Sequence, residues 1–201
     1  MKAREVLGYV FGYGTLADPN DWLLSRYPGE FADPTYIFID GYRRHWDVAA
    51  ENAAPDHDNK YHVDISTGER PDIYVAALGL ELQEGCKCNG VALPVDGERL
   101  RWFDQREAML YDRMVIKTER ISEPLDGTLW TYFPKLEALA AFEEGLRGEA
   151  AFAPRYYTEG VVAAFTARGE QALAAYLAST RPPRCPVRDL ELFRAPGDAG
   201  I

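Results

Sequence analysis

Two short segments, far apart in the chain, carry residue types from which an active site could be built. The first is VFGYGTLADP, residues 10–19. An apolar run over Leu7–Phe11, broken only by Gly8, stops on Gly12-Tyr13-Gly14-Thr15, and Leu16 follows. Two glycines around one tyrosine permit a tight turn and let a ligand come close to the main chain. In such a turn the N–H groups of residues 13–16 are available to a carboxylate or a developing oxyanion. The second segment is DGERLRWFDQREAMLY, residues 96–111. Helical spacing puts Leu100, Phe103 and Leu110 on one apolar stripe, and Glu107 falls on the same stripe. A carboxylate facing a core is costly unless something pairs with it. The stripe admits two readings. Glu107 is a rim residue paired with Arg106, Arg113 or another arginine, or it is a carboxylate in a closed pocket, poised by burial for proton transfer.

Other clusters carry weaker chemistry. DHDNKYHVD offers Asp56, His57, Asp58, His62 and Asp64, but their spacing matches no helix-face metal motif, and a solvated loop explains them as well. Cys86 and Cys88 point to one side of a strand; without a second pair they read as packed thiols. His45, between Arg44 and Trp46, is either a strand residue near a pocket mouth or a surface residue. The sequence contains neither a Gly-x-Ser-x-Gly elbow nor a phosphate-binding Gly-Lys-Ser/Thr loop.

The elements that must position these groups follow from periodicity. Residues 6–12 read as a strand with a turn at 12–15, and Asp18 to Ser25 as a short helix capped by Asp18 with Pro19 in its first turn. Residues 35–50 read as two strands joined at Asp40-Gly41, residues 51–72 as a long loop, and 72–82 and 86–95 as two strands joined at Glu84-Gly85. Asp96 caps a helix running from Gly97 to about Leu110. Strands at 111–121 and 127–133 and helices at 135–148 and 170–180 complete the pattern. Strands without regular helical crossovers point to an α+β fold, a mixed sheet or small barrel. Residues 1–180 are expected to form a single domain and 181–201, with Pro182, Pro183 and Pro186, a loosely held C-terminal tail.

Composition narrows the partners. The chain has 201 residues, 47% hydrophobic, enough for a real core. Its net charge of −10 disfavours nucleic acid and anionic membranes, so an anionic substrate needs local donors. No stretch is apolar enough for a membrane span, and the opening residues, interrupted by Glu5, do not read as a signal peptide. Three cysteines make no disulfide framework, which suits a cytoplasmic protein. The oligomeric state is not legible.

Taken together, FGYGTL and RWFDQREAMLYDRMVI resemble the γ-glutamylcyclotransferase-like superfamily, in which an apolar strand ends in Tyr-Gly-Ser/Thr and a distant Asp-x-x-Glu helix runs into a strand. Asp104 and Glu107 match Asp-x-x-Glu, CNGVALPV the strand before the helix, LWTYF a later strand carrying Tyr132, and PRYYTEGVV onward a closing segment of two helices. The sequence departs from the pattern at Ala108, where members often have glycine, at Phe103, where many have leucine, and in its longer 51–72 loop. The resemblance implies a small mixed β-barrel or curled sheet flanked by helices, a pocket at its mouth, and no metal or organic cofactor. It also implies a small γ-glutamyl-type substrate. The loop residues Tyr13, Gly14, Thr15 and Leu16 would hold the substrate's carboxylate or carbonyl, and Glu107 would carry the protons. Tyr132 and Tyr156 or Tyr157 are candidates for lining the pocket, though each singly reads equally as a packing tyrosine. Tyr13 walls the pocket, donates its hydroxyl, or is a core aromatic; Thr15 reads equally as a turn hydroxyl.

Cyclotransfer of this kind makes 5-oxoproline: the substrate's α-amine attacks its own γ-carbonyl and expels an amine. The tethered nucleophile supplies effective molarity, and one carboxylate can take a proton from the attacking ammonium and return it to the leaving amine. Two further readings stand beside this one: a non-catalytic small-ligand-binding module on the same fold, and a metal hydrolase centred on residues 56–64.

Overall fold

The computed structural model describes residues 6–18, 34–54 and 60–194. Nine strands and four α-helices are found among them. These are β1 (Gly8–Gly12), β2 (Thr35–Glu51), β3 (Lys60–Asp64), β4 (Tyr74–Val95), α1 (Gly97–Glu107), β5 (Tyr111–Ile116), β6 (Thr128–Pro134), α2 (Leu136–Arg147), β7 (Ala151–Pro154), α3 (Arg155–Ala167), α4 (Glu170–Ala178), β8 (Val187–Arg188) and β9 (Leu190–Arg194). A seven-stranded mixed sheet runs in the order β5-β6-β1-β4-β7-β8, with β2 on the other edge of β4; β3 and β9 form a separate pair. The fold is α+β, as the lack of regular crossovers indicates.

The sheet curls because β2 and β4 are long and bend together. Where the sequence suggests two hairpin turns, at Asp40-Gly41 and Glu84-Gly85, each strand instead continues. Asp40 pairs with Lys87 and Tyr42 with Leu82, so Gly41 faces the four residues 83–86 in a bulge. Both glycines are left-handed, Gly41 and Gly85 each at φ 82°, which turns the strand without ending it. Arg120 closes over Gly41, donating to the Asp40 carbonyl at 3.1 Å and to Glu84 at 2.7 Å. Beyond the bulge a single bridge, Ile39 to Ile121, links β2 to the segment after β5. The described strands therefore form a curled sheet and not a closed barrel.

Alternation along the strands separates two cores. Phe11, Ala92, Cys88, Ile37, Ile39, Ile116 and Leu129 fill the inside of the curl. Val10, Val91, Leu93 and Val95 face the other way, against Leu100 and Phe103 of α1 and Ala138 of α2. A third cluster packs Trp46 and Leu78 against Val161 and Phe165 of α3 and Tyr176 of α4.

Four further sequence expectations meet a different outcome or none. Part of the expected 51–72 loop is β3, which pairs with β9; β9 itself lies in the stretch expected as a loose tail. The helix expected at Asp18–Ser25 lies outside the described residues after Asp18, which ends a one-turn 3-10 helix at Thr15–Ala17. The α1 helix ends at Glu107, three residues short of Leu110, because the chain turns there to begin β5.

Candidate functional site

A gap in the sheet organises the site. On one edge β4 pairs with β2 along most of its length. On the other edge it pairs with β7 only at Tyr74 and Val75, and with β1 only from Val91 to Val95. Between these limits no described strand covers that edge. The turn after β1, the end of α1, the start of β5 and the first turn of α3 converge there.

Leu78 stands near the β7 end of this uncovered stretch. Opposite it, the β2 register slips between His45 and Val48. The Leu78 carbonyl accepts a hydrogen bond from the Tyr111 hydroxyl at 2.8 Å. The Tyr157 hydroxyl also sits against the Leu78 backbone, and a methyl group added to Gly14 would lie 3.5 Å from that hydroxyl and 3.7 Å from Leu78 Cδ2. Trp46 meets the Tyr157 ring edge-on, at 5.3 Å between centroids. Tyr157, the first turn of α3 and Gly14 thus share one small space.

Glu107 borders it. Asp96 caps the helix that carries it, accepting from the N–H groups of Glu98 at 3.0 Å and Arg99 at 2.8 Å, while Leu100 and Phe103 are buried. The Glu107 side chain is 21% exposed and its carboxylate lies 3.2 Å from Arg106 Nε. It is neither in bulk solvent nor enclosed. Its charge reaches four tyrosines. Burial pushes the Tyr157 hydroxyl well above its ordinary pKa, and the Glu107 carboxylate is the next cause. Burial likewise raises Tyr13, with Tyr157 and then Glu107 adding less, and Tyr111, with Tyr13, Tyr157 and then Glu107 adding less. Tyr132 is raised by burial first, then by its bond to Asp104. All four hydroxyls therefore stay protonated near neutrality and can donate.

Three of the hydroxyls are engaged, that of Tyr111 with the Leu78 carbonyl as above. Tyr13 donates to the Tyr132 carbonyl at 2.9 Å, and Tyr132 donates to Asp104 at 2.9 Å. Arg113 holds the other Asp104 oxygen at 2.6 Å. The Asp-x-x-Glu aspartate thus ties α1 to β5 and β6, leaving Glu107 one turn further on toward the gap. In the turn itself, Ala17 N–H donates to the Gly14 carbonyl at 3.0 Å and Asp18 N–H to the Thr15 carbonyl at 2.9 Å. The N–H groups of Gly14, Thr15 and Leu16 precede the first closed ring of that 3-10 turn and have no acceptor among the described residues.

Several other sequence candidates are placed elsewhere. Tyr156 points away from the gap, its hydroxyl 3.0 Å from His62 Nε2. His45 is buried within β2, where its Nδ1 accepts from the Asp47 N–H at 3.2 Å. Asp64 is held by Ser66 and by Arg188, and no group of three metal-ligating side chains occurs among the described residues; Asp56, His57 and Asp58 lie outside them. Cys86 and Cys88 are unbonded thiols. A groove of about 630 Å³ runs along Thr158, Glu159, Val162, Ala163, Thr166 and Ala167, the face of α3 opposite Tyr157 and Phe165, and is separate from the tyrosines. Among the described residues no helix is long and apolar enough to cross a membrane. Two participants escaped the sequence reading: Tyr111, read only as the start of a strand, and Arg44, which donates to the Tyr13 carbonyl at 2.7 Å.

The fold belongs to the γ-glutamylcyclotransferase-like class. A solved structure described as gamma-glutamyl cyclotransferase superposes with a TM-score of 0.50 at 10% identity, covering 89% of this chain and 92% of that one. YkqA from Bacillus subtilis is similar at 0.43 and 16% identity, over 79% of this chain and 48% of its own length. An uncharacterized protein from Homo sapiens is similar at 0.40 and 13% identity, over 70% of this chain and 79% of that one. No family model and no curated protein sequence matches the chain.

Proposed function

We propose that this chain is a γ-glutamyl cyclotransferase, releasing 5-oxoproline from a γ-glutamyl peptide or amine. The observation that carries this reading is the convergence of Glu107, Tyr157 and the unpaired N–H groups after β1 at one uncovered stretch of β4. Glu107 takes a proton from the substrate's α-ammonium, and the freed nitrogen attacks the γ-carbonyl carbon. The N–H groups of Gly14, Thr15 and Leu16 hold the oxyanion of the tetrahedral intermediate. As the carbonyl re-forms, the bond to the leaving nitrogen breaks and Glu107 returns the proton to that nitrogen; the ring nitrogen then gives up its second proton through the same carboxylate, so that the lactam is neutral and the amine departs as an ammonium. Tyr157, protonated and facing Gly14, orients the substrate; Tyr13 and Tyr132 brace the turn and α1, and form part of the wall.

The test is release of 5-oxoproline by the purified protein from γ-glutamyl amino acids, γ-glutamyl amines and glutathione. Glu107→Gln keeps the same fold and loses at least about a hundredfold in kcat, the ordinary size of a general acid–base contribution. Absence of release from all three substrate classes overturns the reading. The 3.2 Å contact between Arg106 and Glu107 favours one alternative, a ligand-binding module whose carboxylate is neutralised. That alternative gives thermal stabilisation by a small acid and no turnover.

A further inference from the structure

Arg44 is the least expected residue in the core. It is 0% exposed, and every group that accepts from its guanidinium is neutral. Nε donates to the Tyr13 carbonyl at 2.7 Å, Nη1 to Ser179 Oγ at 2.8 Å, and Nη2 to Asn89 Oδ1 at 3.1 Å and to the Asn89 carbonyl. Phe165 lies 4.8 Å and Tyr176 5.2 Å from the guanidinium carbon, so the cation rests against aromatic rings. Ser179 caps the C-terminal end of α4, where the helix dipole offers partial negative charge. A buried cation held only by dipoles is expensive, and an apolar side chain of similar size would pack β2 against α3 and α4 without that cost. Its placement is therefore informative. Of the four elements it touches, one is the turn after β1.

We propose that Arg44 is the positioning residue of that turn, fixing the Tyr13–Gly14 peptide so that the Gly14 N–H serves as the main donor to the substrate's oxyanion. This rests on the function proposed above. In a planar trans peptide the carbonyl and the N–H point in opposite directions. With the Tyr13 carbonyl held by Arg44 Nε, the Gly14 N–H of the same peptide is directed away from the guanidinium, in a residue whose Cβ position faces the Tyr157 hydroxyl at 3.5 Å. The guanidinium also polarises the peptide it binds, strengthening the donor at the other end. In a chain of net charge −10, this places a fixed positive charge directly behind the oxyanion position.

The experiment compares the wild type, Arg44→Lys, Arg44→Met and Glu107→Gln in three measurements. These are the thermal melt, steady-state release of 5-oxoproline, and the Gly14 amide resonance during titration with 5-oxoproline. In the wild type the Gly14 amide moves on titration. The folded Arg44 variants lose kcat on the order of a hundredfold, the effect of losing one oxyanion donor, with KM within about threefold. They also lose the Gly14 response, which Glu107→Gln retains. A folded Arg44 variant with wild-type kcat, or one that keeps the Gly14 response, overturns the assignment. Should neither Arg44 variant fold, the wild-type titration decides, and a Gly14 amide that does not move counts against it. A wild type that releases nothing but shows a Gly14 response that the folded Arg44 variants lose refutes the cyclotransferase reading and the oxyanion role with it, and leaves Arg44 as the residue that positions the Gly14 N–H toward a bound acid.

Discussion

Gly90 of β4 pairs with Ile37 of β2, one residue before the β1 pairing begins at Val91, and follows Asn89, which accepts from Arg44. A methyl group there would sit 2.5 Å from Phe11 Cζ, 2.6 Å from Phe11 Cε2 and 2.6 Å from the Gly12 carbonyl oxygen. Ordinary contacts need roughly an ångström more. Phe11 is 1% exposed and packed by Ile37, Ile39, Ile116 and Leu129, so its ring has no room to retreat; the Gly12 oxygen is backbone. The strain must therefore push the end of β1 away from β4, taking the turn at 13–16 with it. Gly90→Ala is expected to cost about 1–3 kcal/mol, the usual range for overpacking. For a chain of this size that is a fall in Tm of roughly 2–4 °C per kcal/mol. Release of 5-oxoproline should fall more than stability does, because the displaced strand carries the N–H groups proposed to hold the oxyanion. Gly160→Ala is the control: its methyl group meets only Thr15 Cγ2 at 3.7 Å, inside α3, where alanine is favoured over glycine by up to about 1 kcal/mol. A Gly90→Ala protein with unchanged Tm and unchanged kcat would refute the reasoning that β1 is held against β4 without slack.

Two further outcomes are expected. Burial, and then the nearby Lys60, pull the His62 imidazole down from 6.5 to about 4. The unfolded chain binds that proton near pH 6.5 and the folded chain only near 4, so the contribution is complete above pH 6.5 and is lost as the pH falls toward 4. The ceiling is about 3 kcal/mol, and His62→Gln should flatten the fall in urea midpoint between pH 7.5 and 4.5; His45, lowered by burial in the same direction, leaves a residual slope. Tyr111→Phe removes the 2.8 Å bond to the Leu78 carbonyl and leaves a buried acceptor unpaired, at about 1–3 kcal/mol by denaturant unfolding; an unchanged midpoint would mean that water reaches Leu78.

How much of this was legible depended on whether a signal was local. Asp96 as a cap, the stripe of Leu100 and Phe103, and the glycines around Tyr13 each act within a few residues, and the helix and turn they indicate are present. The turns expected at Asp40-Gly41 and Glu84-Gly85 had the right residues and the wrong consequence. A left-handed glycine permits either a hairpin or a bulge, and the choice is made by a partner strand some forty residues away, which pairs on both sides of the bend. The strand at 60–64 was hidden for a similar reason: its partner, β9, lies in a proline-rich stretch that locally reads as a tail.

Arg44 shows what could have been read and was not. Glu107 stood out because a charge fell on an apolar stripe of period 3.6. The same argument, with period 2, applies to β2: Tyr42, Arg44 and Trp46 alternate in phase, and all three are buried. A cation between two buried aromatics on one strand face is as costly as a carboxylate on one helix face, so it demands an acceptor set equally. What the pattern cannot supply is the identity of those acceptors, because Tyr13, Asn89 and Ser179 are drawn from three distant parts of the chain. Both out-of-place charges bear on Tyr13: Arg44 donates to its carbonyl, and the charge on Glu107 helps to raise the pKa of its hydroxyl. On the function proposed above, a turn fixed by a buried cation and served by a nearby carboxylate suits a substrate that carries a cationic amine next to a carbonyl developing negative charge, which is the demand that intramolecular cyclisation of a γ-glutamyl group makes.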